Sequence, residues 1–201
     1  MTTSKISFRN EVFRKLIHLS SLWMVVTVYV LTQSQAILLF STLLMGFVVF
    51  EYGRRHIRII QYLTSQYLNT ILRTHENQSM TGAFYVVLAT LLSVILFDNA
   101  VAIISIAIMI LSDTFAALIG RKYGKVCILD KSLEGCTAFF LSTVLLLKIA
   151  VAMSLILVNL PTIMMVSLLV TIVELLSSKL QIDDNLSIVL ASGFLLTVMV
   201  I

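Results

Sequence analysis

Apolar stretches of about sixteen to twenty residues recur along this chain, over roughly 16–32, 35–52, 81–97, 100–119, 133–148, 161–178 and 185–201. A helix needs about 20 residues to cross a ~30 Å hydrocarbon core, and hydrocarbon leaves open backbone groups no partner but the helix itself or a closed barrel. The repeated length therefore predicts an all-α, polytopic integral membrane protein with about seven transmembrane helices. A further apolar stretch at 149–160 and the brevity of the last run keep six to eight open. Composition agrees: 59% of residues are hydrophobic and 12% charged, with a mean hydropathy of +1.04, outside the range of water-soluble domains. The connections are too short for a second domain, so residues 1–201 read as one transmembrane domain. The first basic and apolar segment lacks a small-residue cleavage site and leads straight into another run, so it reads as a span rather than a leader.

A net charge of +4 would suggest nucleic acid in a soluble protein, so the placement of each cation decides its meaning. Lys5, Arg9, Arg14 and Lys15 precede the first run, and Arg54, Arg55, Arg58 and Arg73 lie between the second and third. Arg121, Lys122, Lys125 and Lys131 lie between the fourth and fifth, and Lys179 follows the sixth. With seven crossings all of these share one face, and Lys148 alone lies on the other. The positive-inside rule makes that face cytoplasmic, with the N-terminus there and the C-terminus on the opposite side of the inner membrane. Basic residues beside a membrane suit anionic headgroups or a polyphosphate, and no nucleic acid partner is expected.

Cys127 and Cys136 fall on the same cytoplasmic side, without histidine at ligand spacing, so neither a disulfide nor a zinc site is expected. No internal repeat of the kind found in two-halved transporters is present. Within 53–80, Ile57, Ile60, Leu63, Tyr67 and Ile71 recur at helical spacing among polar residues, which predicts an amphipathic segment on the cytoplasmic surface.

Asp113 stands seven residues before Gly120 inside an apolar run, about 10 Å below the end of its helix at 1.5 Å per residue. A lone acid near the middle of a spanning helix opposes insertion by about 2.5–3.5 kcal/mol, so it is paired with a cation or faces a polar site. Asp113, Ala117, Gly120 and Gly124 follow at spacings of four, three and four, a face without bulk that serves close helix packing or leaves room for a ligand. The loop GRKYGKVCILDK then brings four cations, and Ser132 stands where it caps the helix opening with Leu133, Glu134 and Gly135. A helix N-terminus beside lysine is an anion site. Joined to Asp113, it suits a metal-bound polyphosphate, although the Walker spacing is absent.

A second acidic cluster places Glu174 near the cytoplasmic end of the sixth run and Asp183, Asp184 and Asn185 at the entry of the seventh. Adjacent acids there complement the helix dipole or contribute oxygen ligands of the kind Mg²⁺ takes. Near the N-terminus, Glu11, Arg14, Lys15 and His18 share one helix face. His18 reads as a phosphate contact, a proton acceptor or a support to other site residues.

These motifs resemble the CTP-dependent lipid kinase family of dolichol kinase, phytol kinase and the CTP-dependent diacylglycerol kinase of yeast, and the resemblance runs almost end to end. It is carried by E11-x-x-R14-K15-x-x-H18, E51-x-x-R54, T81-G82-A83, the stretch from Ser112 to Lys125, K131-S132-L133-E134-G135, E174-L175-L176-S177 and D183-D184-N185-L186. Ser112 departs from the glycine that commonly precedes the aspartate. The resemblance implies transfer of the γ-phosphoryl group of CTP to the primary hydroxyl of a membrane lipid alcohol, with Mg²⁺. It implies Asp113, Asp183 and Asp184 as metal ligands or as the acceptor of the hydroxyl proton, with Glu174 beside them. Lys131, Arg121, Lys122 and Lys125 would hold phosphates, with Gly120, Ser132, Arg14, Lys15 and His18 around the nucleotide, while Glu134 and Asn185 orient metal or ribose.

The nearest rival is a CTP:phosphatidate cytidylyltransferase, whose D-T-x-A…G-R…G-K and K-x-x-E-G segments are similar. The single-lysine K-S-L-E-G and the D-D-N-L ending favour the kinase. An ion- or proton-coupled transporter would spread ionisable groups through the membrane depth, whereas here only Asp98 and Lys148 depart from one face. The acceptor lipid, the preference for CTP over ATP and the oligomeric state are not written in the residues.

Overall fold

A computed structural model describes residues 8–58, 60, 62, 80–177 and 179–199. The apolar runs become α1 (Phe8–Ser20), α2 (Leu22–Val30), α3 (Gln33–His56), α4 (Gly82–Leu96), α5 (Asn99–Ala107), α6 (Asp113–Tyr123), α7 (Leu133–Ala152), α8 (Leu160–Ser177) and α9 (Asp184–Met199). A π-helical segment, Ile108–Ser112, joins α5 and α6 into one rod. Two-residue strands β1 (Cys127–Ile128) and β2 (Lys131–Ser132) form the only sheet among the described residues. The class is all-helical, as expected, with this ribbon as an addition.

Among the described residues, four helices are long and apolar enough to cross a membrane: α3, the rod Asn99–Tyr123, α7 and α8. The remaining runs yield shorter units. The first is divided between α1 and α2 at Ser21, while α4 and α9 have 15 and 16 residues. Among the described residues the first helix already runs from Phe8, ahead of the apolar run at 16–32, and it carries Glu11 and Lys15 buried despite their charge.

Local chemistry sets the ends. Thr32 and Gln35 form a capping box that starts α3. Asn159 accepts from the Thr162 N–H at 3.0 Å, and Pro161 follows in the first turn of α8. Ser154 takes a left-handed φ of 57° just after α7, so the apolar stretch 149–160 closes one helix and turns into the next, adding no span.

The rod α5–α6 is central. Ile106, Ile108, Met109 and Ile110 are wholly inaccessible, and the rod packs against α2, α7 and α9. By contrast, 22% of the apolar window of α3 is buried against 67% for the rod, so α3 is peripheral. Its C-terminal end is pinned by a buried charge pair. Arg54 donates to Glu51 Oε2 at 3.0 and 2.6 Å, and the Thr81 N–H donates to Glu51 Oε1 at 2.9 Å. The E51-x-x-R54 and T81 motifs thus fasten α3 to the start of α4. Residues 53–56 of the expected amphipathic segment 53–80 are the last turn of α3, and 63–79 lie outside the described residues.

Candidate functional site

The stretch after α6 folds back as a hairpin. Cys127 pairs with Ser132 and Ile128 with Lys131, and the Leu133 N–H donates to the Val126 carbonyl at 2.9 Å. Ser132 Oγ accepts the Gly135 N–H at 3.1 Å, which makes it the cap of α7 as its sequence position requires. Glu134 Oε1 accepts the Lys125 N–H at 2.9 Å and so closes the base of the hairpin.

Close packing of α6 on α7 explains the small residues. A Cβ on Gly135 would lie 2.9 Å from the Ala116 carbonyl oxygen and 3.2 Å from Gly120 Cα, and one on Gly120 would lie 2.7 Å from Ser132 Oγ. Of the two readings of the small stripe, helix approach is therefore realised at Gly120, while Ala117 faces the cleft described next.

At this end of the bundle lies a cleft of about 1060 Å³. Distant segments of sequence meet on its walls: Arg14 from α1, Asp113 and Arg121 from α6, Lys131 from β2, and Asp183 and Asp184 before and at the start of α9. Gly120, Ser132 and Glu174 line it as well. Lys122, Lys125, Glu134 and Asn185 lie off its walls, as do Lys15 and His18, which stand behind Asp113.

Asp113 is paired and also lines the cleft, which unites the two readings of an acid in an apolar run. Lys15 Nζ donates to its Oδ2, and His18 Nε2 is 3.6 Å from the same oxygen. The π-helical turn just before Asp113 offers its Met109 carbonyl to His18 Nε2 at 3.3 Å. A carbonyl only accepts, so the imidazole carries its proton on Nε2 in that contact. A widened turn of this kind commonly marks a functional position in a helix.

The other cleft cations are also matched by acids. Arg14 donates to Glu11 Oε1 at 2.6 Å, and Arg121 is 3.9 Å from Glu11 Oε2. Lys131 Nζ donates to the Glu174 carbonyl at 2.6 Å and to its carboxylate, tying the hairpin to the end of α8. Asp183 and Asp184 each accept from Asn185 through Oδ1. Burial and the neighbouring Asp184 carboxylate raise the Asp183 pKa to about 6.

Sequence reasoning gave no role to Glu11, Tyr85 or Ser177, all of which line the cleft. Glu11 had a signal in its spacing from Arg14 and Lys15. Ser177 closes the E174-L175-L176-S177 motif, whereas Tyr85 had no signal, since a tyrosine in an apolar run reads as packing.

Among the described residues no three His, Cys, Asp or Glu side chains form a ready-made metal cage. The oxygens present still suit Mg²⁺, which takes one or two carboxylates and completes its shell with phosphate and water. Glu174 Oε2 and Asn185 Oδ1 are buried acceptors without a hydrogen-bond partner, on either side of the Asp183–Asp184 pair in sequence.

No family model and no solved structure matches the chain. It is 31% identical over 196 residues to the uncharacterized protein RP860 of Rickettsia prowazekii (strain Madrid E), a match covering 95% of this chain and 94% of that protein. The chain belongs to the family of that rickettsial protein. It is also 28% identical over 189 residues to the uncharacterized protein MJ1137 of Methanocaldococcus jannaschii, covering 92% of each. Both matches run nearly the whole length, so what is alike is the bundle rather than one motif.

Proposed function

We propose that this protein is a membrane-embedded kinase that moves the γ-phosphoryl group of CTP to the primary hydroxyl of a lipid alcohol. The observation that carries the reading is convergence. Segments around residues 14, 113, 121, 131 and 183, separated in sequence, place acids and cations on one cleft at one end of an apolar helix bundle. In this reading the bundle crosses the membrane seven times, with α1–α2 and α5–α6 each acting as one span. The cleft faces the cytoplasm, where the basic residues lie, and the C-terminus lies beyond the inner membrane.

Phosphoryl transfer asks a protein for positioning and charge stabilisation, and a covalent nucleophile is not required. The hydroxyl oxygen forms a bond to the γ-phosphorus, the bond from that phosphorus to the β–γ bridging oxygen breaks, and CDP leaves. Asp113, held through Oδ2 by Lys15 with His18 beside it, takes the hydroxyl proton. Arg121, Lys131 and Arg14 neutralise phosphate oxygens from the cleft walls. Asp183, Asp184 and Glu174 would hold Mg²⁺, which supplies charge neutralisation of the triphosphate when bound. Lys122 and Lys125 act at longer range from outside the cleft, and Glu134 keeps the hairpin closed.

The test is incubation of the purified protein with Mg²⁺, γ-labelled CTP or ATP, and a panel of polyprenol, phytol, geranylgeraniol, diacylglycerol and phosphatidate. Label entering one lipid from CTP supports the kinase and names its acceptor. Pyrophosphate released from CTP by phosphatidate, with no label in any alcohol, replaces it with the cytidylyltransferase.

A further inference from the structure

Two loops form part of the rim of the cleft, and both turn aliphatic side chains outward. On the hairpin, Val126 is 51% exposed and Leu129 52%; on the connection to α9, Leu180 is 62% exposed and Ile182 47%. Loops in contact with water alone carry polar residues at such positions, and a cluster of exposed aliphatics marks something that covers them. Leu129 also sits in the two-residue hairpin turn at a left-handed φ of 55°, where glycine or asparagine meets less steric opposition than leucine.

Two further observations say what the cover is. Lys122, Lys125 and Lys179 are exposed and lie within a few residues of these aliphatics in sequence, a pairing of apolar tips with cations that matches the acyl boundary and anionic headgroups of a bilayer. The apolar rim also continues into the outer side of the bundle. Val126 is bonded to Leu133 at the top of α7, and exposed Leu133, Leu141 and Leu145 run down that helix at spacings of eight and four.

We infer that the cleft mouth is seated in the headgroup layer of an anionic membrane, with Val126, Leu129, Leu180 and Ile182 below the phosphates and Lys122, Lys125 and Lys179 against them. This rests on the membrane-spanning reading above. A lipid hydroxyl then reaches the cleft over this rim from the same leaflet, while its apolar body stays in the bilayer.

Tryptophan quenching tests it. Trp23 is the only tryptophan of the chain, lies on α2 and is 44% exposed. The protein is reconstituted in vesicles of phosphatidylcholine and phosphatidylglycerol whose acyl chains are brominated near the headgroup or near the terminal methyl. In a Trp23→Phe background, Leu129→Trp and Ile182→Trp are each expected to lose fluorescence to the shallow bromines and to resist aqueous iodide. Lys122→Gln with Lys125→Gln and Lys179→Gln is expected to weaken that loss in vesicles containing phosphatidylglycerol. Quenching of both introduced tryptophans by iodide alone, or by neither reagent, overturns the inference. The unaltered protein separates the two failures: if Trp23 escapes every brominated lipid, the spanning reading falls and the inference with it. If Trp23 is quenched while both rim positions are not, the rim inference falls alone.

Discussion

Lys15 on α1 and Asp113 at the head of α6, 98 residues apart in sequence, form a buried ion pair at the back of the cleft. They are 3% and 6% exposed. Breaking a buried pair from one side strands the other charge and costs about 3–5 kcal/mol. Lys15→Met is therefore expected to lower the thermal midpoint in detergent by that scale. Adding Asp113→Asn recovers part of the loss, because the stranded carboxylate is removed. Additive losses in this cycle would mean the two residues do not act as a pair.

Gly135 meets backbone, whereas Ser132 supplies a single cap. Gly135→Ala pushes a methyl group toward the Ala116 carbonyl and Gly120 Cα, and overpacking of this kind costs about 1–3 kcal/mol. Ser132→Ala removes the bond to the Gly135 N–H, about 1 kcal/mol. Thermal unfolding of both variants is expected to rank Gly135→Ala as the more damaging, and the reverse order would place the helix crossing elsewhere.

Asp183 makes stability depend on pH. Its folded pKa is raised to about 6 by burial and by Asp184, whereas an unfolded aspartate titrates near ~3.9. Between these values the folded protein binds more protons than the unfolded chain, so stability falls as pH rises from about 4 through about 6, then levels. Thermal midpoints of the metal-free protein across that window are expected to decline in the wild type and to flatten in Asp183→Asn. Equal slopes would assign the dependence to another group.

Arg121 and Lys122 are neighbours with different positions. Arg121 lines the cleft and approaches Glu11, while Lys122 lies 5.1 Å from the Tyr123 ring centroid, off the cleft. A charged hydrogen bond is worth about 1.5–3 kcal/mol, so Arg121→Gln is expected to lower kcat/KM for the labelled nucleotide about 10- to 100-fold. Lys122→Gln leaves it nearly unchanged. Matching losses would mean both act through the general field of the surface.

The all-helical class and the cleft residues Asp113 and Ser132 could be read from sequence because each rests on a local signal. Length of apolar run gave the helices, the S-x-x-G position of Ser132 gave a cap, and an acid in an apolar segment marked Asp113. The pairing of Lys15 with Asp113 was not legible, since it depends on how α1 lies against α6. Nor was the hairpin, whose turn places Leu129 where its residue type argues against a left-handed backbone. The roles of Glu51, Arg54 and Thr81 as a clamp were hidden for the same reason. Their motif was visible, but what joins Glu51 to Thr81 is a contact across 30 residues.

Asp113 is the group proposed to meet the lipid hydroxyl. Transfer of label from γ-labelled CTP to the accepting lipid, with Mg²⁺ present, should be abolished in Asp113→Asn while that variant keeps a folded thermal transition and binds the nucleotide. Wild-type rates of transfer in folded Asp113→Asn would contradict the proposed site.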